Sequence, residues 1–327
     1  MVKYRGWGDD LQSVSNKLWL HVLPPRLKKL VEETADAMSP DLEEIRFRIQ
    51  KPVIIKRAGK ERFLLRDREP VCAQAADLEA VMDLSMRGSL YAFEEELKNG
   101  FVTLPGGHRL GFCGRAVLDQ GRLRGLKQIR FLNLRVAKQV FGCGDALIPR
   151  ITANRRWLST LVASPPRWGK TTLIRELVRK ASEGDPARYL AGADVSLVDE
   201  RSEIAGSYLG EPQFELGPRT DVLDGCPKSE GMMMVVRSMA PDIVAADEIG
   251  GERDMEALRH VLLCGAKILT TVHGSALEEL LARPGLGDFI RQGAFDRIVV
   301  LRGPWYSGLP PAVYQGKSLG LAAAEPV

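Results

Sequence analysis

In the second half of the chain, short uninterrupted apolar runs alternate with stretches in which apolar residues recur every three or four positions. This is the pattern of buried strands alternating with amphipathic helices, and it marks a doubly wound α/β sheet. The spacing predicts strands over 158–163, 195–198, 242–249, 267–272 and 297–301. Helices are predicted over 172–182, ending near Gly184, over 230–239 and 252–264, and as two short pieces within 275–292. Between the second strand and the Met-rich helix lies a long polar, glycine-rich segment, 201–229. Met232-Met233-Met234 reads as adaptable core or interface filling.

The first half has a different rhythm. An amphipathic helix opens after Pro24-Pro25 within 24–50, a strand follows at 52–56 with a turn at 58–60, and 75–98 is helical in two pieces around Gly88. From Phe101 the pattern shortens to strands at 101–104, at 108–117 and from Arg122 onward. Pro105-Gly106-Gly107 and Asp119-Gln120-Gly121 punctuate them as hairpin turns. Those turns account for the glycines there better than a dinucleotide loop does, since no helix opens after them. Gly142, Gly144 and Pro149 break the periodicity next, so a boundary falls within 142–156. The expected organisation is an N-terminal α+β domain over 1–145 and an α/β domain over 146–327.

Length and composition agree with this plan: 327 residues, 45% hydrophobic and 27% charged, are enough for two globular cores. No window reaches the ~20 uninterrupted apolar residues of a membrane span. The N-terminus lacks an apolar signal core, so a cytosolic location is expected. Five scattered cysteines signal neither a disulfide framework nor a zinc site. Net charge is only +4, but residues 101–150 carry nine Lys/Arg against Asp119 and Asp145, a local +7.

The candidate chemistry is concentrated at strand ends. Ser164-Pro165-Pro166-Arg167-Trp168-Gly169-Lys170-Thr171-Thr172 joins a strand to a helix and ends in the Gly-Lys-Thr of a phosphate-binding loop, with Ser164 in place of its first glycine. Such a loop aims backbone N–H groups and a helix N-terminus at phosphates. Lys170 then sits between the β- and γ-phosphates of ATP, and the Thr171 hydroxyl ligates Mg²⁺. A second carboxylate is needed near the metal, and Ile243-Val244-Ala245-Ala246-Asp247-Glu248 has the Walker B form that supplies it. Asp247 is assigned to the magnesium shell and Glu248 to orienting and deprotonating the attacking water. Val198-Asp199-Glu200-Arg201-Ser202-Glu203 places three carboxylates past another strand, with Asp199 or Glu203 assisting. Thr270-Thr271-Val272-His273-Gly274 ends a further strand with His273, suited to sensing the γ-phosphate.

Walker A, an acidic box, Walker B and a histidine box in this order resemble the RecA-like secretion ATPases of type II and type IV systems. More narrowly, Glu95 to Arg109, Val198 to Gly206, Arg219 to Asp224 and Gly231 to Met234 resemble the stage III sporulation AA family of endospore-forming bacteria, over about residues 20–305. The family loop usually reads Pro-Pro-Gly-Cys-Gly-Lys-Thr-Thr. Ser164 agrees with it, whereas the bulky Arg167-Trp168 pair stands in place of Gly-Cys, beside the phosphates. Ala245-Ala246 likewise softens a strand that is usually rich in Val and Ile.

The resemblance implies a RecA-like P-loop core with a smaller α+β N-terminal domain, working as a ring, a hexamer, with ATP bound between neighbouring subunits. It further implies peripheral attachment to a membrane channel or secretion complex between mother cell and forespore, on the mother-cell side. An arginine reaching the phosphates in trans is implied as well, with Arg237 or one of Arg115, Arg122, Arg124, Arg130 and Arg135 as candidates. Two other readings stay open. A RecA-like nucleic-acid motor uses the same core, although the 101–150 region offers few aromatics for stacking and no nucleic acid is expected. A scaffold subunit with little turnover is the other. A GTPase is disfavoured because no Asn-Lys-x-Asp tetrapeptide is present.

Overall fold

A computed structural model describes residues 2–5, 10–14, 17–39, 41–57, 59–86, 100–304 and 308–316. The chain divides into two compact units, one formed by residues 1–2 and 13–139, the other by 3–12 and 140–327.

In the first unit, helix α1 (Pro25–Glu32) precedes strands β1 (Leu42–Arg48), β2 (Ile54–Arg57) and β3 (Lys60–Phe63). Helix α2 (Ala75–Met86) and strands β4 (Phe101–Leu104), β5 (His108–Asp119) and β6 (Arg122–Arg135) follow. The strands form one antiparallel sheet in the order β3-β2-β1-β6-β5-β4. The two hairpins lie where the turn residues predict them. Strand β1, central in the sheet, was not expected: it buries Leu42, Ile45 and Phe47, and a bulge between Leu42 and Glu44 shifts its alternation out of phase. The helical piece expected after Gly88, and the opening Glu95 to Asn99 of the family-like stretch, lie outside the described residues.

The second unit contains strand β7 (Thr160–Ser164), helix α3 (Lys170–Glu183), and strands β8 (Val195–Asp199) and β9 (Thr220–Asp224). Helix α4 (Lys228–Met239), strand β10 (Ile243–Glu248), helix α5 (Glu252–Leu263) and strand β11 (Lys267–His273) come next. Short helices α6 (Leu277–Ala282) and α7 (Leu286–Arg291) lead to strands β12 (Arg297–Val300) and β13 (Ala312–Gln315). Strand order is β9-β8-β10-β11-β7-β12-β13, parallel throughout except for β13, which runs antiparallel to β12.

Because successive side chains of a strand point to opposite faces, each buried strand feeds two cores. Val162, Leu197 and Leu269 join Leu173, Ile174 and Leu177 of α3 on one face. Leu161, Ala163, Val198, Val244 and Ile268 join Met232 of α4 and Leu258 of α5 on the other. Each Val, Leu, Ile or Met among them contributes about 1.5–3 kcal/mol of hydrophobic stabilisation. This is the RecA-like arrangement of a mostly parallel sheet between helical layers. Strands β9 and β13 were not foreseen, for both pack at or beside a sheet edge and β9 is only half-buried. Among the described residues no helix is long and apolar enough to cross a membrane.

Candidate nucleotide site

Strand β7 is buried along its whole length and delivers the chain to the loop at Ser164. Ser164 is buried: its hydroxyl donates to the Pro165 carbonyl at 2.9 Å, and its own carbonyl accepts the Gly274 N–H at 3.2 Å. Pro165 is half-buried, while Pro166 and Arg167 are exposed. Gly169 caps helix α3 in the left-handed conformation, φ 88°, and Lys170 follows as the first helical residue. Thr171 and Thr172 complete the first turn, half-buried, where backbone N–H groups and the positive helix end coincide. Trp168 is half-buried and its side chain packs against the core that includes α3. Arg167 has φ 66°, so the position where the family loop has glycine still demands left-handed backbone.

Strand β11 runs beside β7 with His273 opposite Ser164, and β10 runs beside β11. The β10–β11 register is regular up to Ala246–Thr270 and then slips, so that Glu248 rather than Asp247 pairs with Thr271. The Thr270 hydroxyl holds this bulge by donating to the Asp247 carbonyl at 2.8 Å. A bulge re-aims side chains, and here the two neighbouring carboxylates serve different cations.

Glu248 Oε2 lies 3.4 Å from Lys170 Nζ and 2.7 Å from His273 Nε2. Lys170 Nζ is in turn 2.7 Å from His273 Nδ1. A neutral imidazole protonated on Nε2 satisfies both contacts, since Nδ1 then accepts from the ammonium while Nε2–H donates to the carboxylate. Asp247 is mostly buried and faces Lys228, whose Nζ lies 3.2 Å from its Oδ1 and also contacts Glu200. Burial lifts the Asp247 carboxyl to about 6; Lys228 opposes the rise, while Asp199 and Glu200 add to it.

Asp199 holds a turn of the backbone. Completely buried, it accepts backbone N–H groups from Glu203, Ile204 and Ala205 at 2.9, 2.9 and 2.8 Å. Arg175 of α3 grips the same turn from the other side, donating to the carbonyls of Ile204 at 2.6 Å and Glu203 at 2.7 Å. Its guanidinium also stacks over Phe214 at 3.8 Å. Glu203 contributes its backbone N–H and carbonyl to this turn. Arg237 is not brought to the loop at all: it is exposed near the C-terminus of α4, and the chain turns from there into the start of β10. In a parallel sheet that is the edge opposite the phosphate loop. Arg237 lines a groove of about 750 Å³ between α4 and α5 with Met233, Arg253 and His260. Arg115, Arg124, Arg130 and Arg135 are exposed on the first unit.

Lys228 and Arg175 escaped the sequence reading. Lys228 left a signal, because a lysine in the first turn of a helix works against the helix dipole and such inconsistencies gather at functional sites.

The residues present fit a magnesium nucleotide. Asp247 supplies a mostly buried carboxylate at the end of β10, and Thr171 a hydroxyl in the first turn of α3. Among the described residues no three His, Cys, Asp or Glu side chains gather to hold a metal by themselves.

The arrangement has counterparts among known proteins. The pilus retraction motor PilT, solved with bound ADP, superposes with a TM-score of 0.55 at 12% identity, over 84% of this chain and 76% of that one. The ATPase DotB of Legionella pneumophila gives 0.50 at 15% identity, over 85% and 76%. At these identities the likeness shows the fold, that of RecA-like secretion ATPases. Stage III sporulation protein AA of Bacillus subtilis strain 168 is 40% identical over 280 residues, 86% of this chain and 89% of that one. The family model described as Sporulation stage III, protein AA matches residues 15–319. The chain belongs to that sporulation stage III protein AA family.

Proposed function

We propose that this protein is a magnesium-dependent ATPase whose turnover drives a membrane channel or secretion complex during endospore formation. The observation that carries the reading is the meeting of Lys170, Glu248 and His273 at the carboxyl ends of three adjacent strands, with Lys170 Nζ 2.7 Å from His273 Nδ1 and 3.4 Å from Glu248 Oε2. Mg²⁺, when bound, supplies charge neutralisation at the β- and γ-phosphates. Thr171 and Asp247 are the residues that would hold it. Lys170 exchanges its protein partners for phosphate oxygens, which frees Glu248 to position a water and accept its proton. His273, attached to both, reports the phosphate state to the rest of the chain.

Asp199 and Glu203 shape the neighbouring turn and act on the chemistry through it. Arg237 lies at the far edge of its own sheet, so any contact it makes with phosphate is with a neighbouring subunit's nucleotide. A ring, hexameric by the family resemblance, is thus the working form, peripheral at the cytoplasmic face of the membrane. In this assembly 1–145 forms the N-terminal domain and 146–327 the ATPase domain.

The test is ATP turnover by the parent chain, Lys170→Ala and Glu248→Gln. Lys170→Ala is expected to abolish nucleotide binding, whereas Glu248→Gln keeps binding and loses turnover by ~10²–10⁴-fold. Full activity in both variants sinks the reading.

A further inference from the structure

We propose that Lys228 is a tethered cation: it neutralises the Glu200–Asp247 pair in the nucleotide-free protein and thereby keeps that pair from taking a divalent metal before nucleotide arrives. The inference rests on the ATPase reading only in treating Asp247 as a metal ligand.

Several observations converge on this lysine. It is the first residue of α4, directly after Pro227, and its side chain is only 12% exposed. A lysine there has the positive end of the helix dipole against it, so the acidic groups it faces must provide the compensation. They do: the ammonium contacts Glu200 and lies 3.2 Å from Asp247 Oδ1. The ammonium therefore sits against the same carboxylate oxygens that a divalent cation would take.

The backbone brings Lys228 to this place. One turn further along α4, Gly231 lies so close to β8 that a Cβ there would fall 2.5 Å from Val198 Cγ1. Only glycine lets α4 lie flush against the strand that leads into Asp199 and Glu200. Lys228 is therefore built in at the carboxylates rather than arriving as a surface chain. Unit charges at such separations attract strongly in a partly buried setting. The lysine and a metal ion thus compete for the same oxygens.

A merely structural lysine and a competing cation predict opposite signs. The experiment titrates Mn²⁺ into the full chain without nucleotide and reads bound metal from loss of the free-ion EPR signal. Lys228→Met and Lys228→Gln are each expected to bind Mn²⁺ about tenfold or more tighter than the parent, whereas Lys228→Arg stays weak. Adding Asp247→Asn to Lys228→Met is expected to return the affinity to the parent level. Unchanged or weaker Mn²⁺ binding in the neutral variants overturns the proposal, as does a gain that survives Asp247→Asn. If one neutral variant does not fold, the other decides. Because no nucleotide is present, failure here leaves the ATPase reading standing, and that reading fails separately if the parent neither binds nor hydrolyses Mg-ATP.

Discussion

Asp247 and Glu248 are neighbours in the chain, yet they face different ammonium groups: Asp247 Oδ1 lies 3.2 Å from Lys228, and Glu248 Oε2 lies 3.4 Å from Lys170. The β10–β11 register slips at this point, between Ala246 and Glu248.

His273 is the partner shared by Lys170 and Glu248, with Nδ1 against the first and Nε2 against the second. His273→Ala is expected to lower kcat at least about tenfold, through loss of an oriented base, while the Kd for a nonhydrolysable ATP analogue changes less than threefold. Stopped-time turnover and analogue titration on one preparation check this. A large loss of affinity with unchanged kcat contradicts the assignment.

Arg167 sits at φ 66° in the loop position where glycine is conformationally free. A side chain in that region costs about 1–2 kcal/mol, partly offset in a comparison with glycine by the entropy glycine loses on folding. Arg167→Gly is therefore expected to stabilise the second unit by about 0.5–1 kcal/mol, read from urea unfolding. Trp168→Ala is expected to do the opposite, because its ring packs against the α3 core. Destabilisation by Arg167→Gly refutes the strain argument.

The fold of the second unit was largely legible because buried parallel strands are near-continuous apolar runs and their helices carry a clear period. Thr220 to Asp224 was missed for a physical reason: three of its five residues are polar, and it pairs with only β8. Leu42 to Arg48 was missed because a bulge disturbs its alternation. The loop and the ends of β10 and β11 were legible in the sequence, since phosphate chemistry narrows residue type and spacing together. What the sequence concealed was partnership. Asp199 looked like a candidate for the chemistry, and only its three backbone donors show it supporting a turn. Lys228 falls in the polar segment 201–229 of the sequence, and only the close approach at Gly231 shows why it reaches the site.

The Asp199 geometry makes its own prediction. Asp199→Ala leaves three buried N–H groups without their acceptor, at about 1–3 kcal/mol for each that water cannot reach. The expected loss is about 3 kcal/mol or more of second-unit stability, with faster hydrogen exchange across 200–206. Asp199→Asn, which keeps one acceptor oxygen, is expected to lose less. A catalytic defect in Asp199→Asn with unchanged stability and exchange would return Asp199 to the chemistry.

His108 supplies a test in the first unit. Its side chain is buried, and Nδ1 accepts the Ala137 N–H at 3.0 Å, which requires the neutral ring. Burial lowers its pKa from 6.5 to about 4. The folded value lies below the unfolded one, so the unfolded chain binds the proton more readily, and stability falls as pH drops from 6.5 toward 4. At pH 5 the loss amounts to about 2 kcal/mol relative to pH 7.5. Asp247 acts with the opposite sign, because its carboxyl is lifted to about 6 and its contribution is lost as pH rises through that value. Comparison with His108→Gln cancels the Asp247 contribution and leaves that of the histidine. Hydrogen exchange of the β4–β5 hairpin amides, corrected for its intrinsic pH dependence, is the readout. The parent is expected to lose about 2 kcal/mol more protection than the variant between pH 7.5 and 5. Equal losses in the two chains would mean that the ring is protonated in place without disturbing its bond to Ala137.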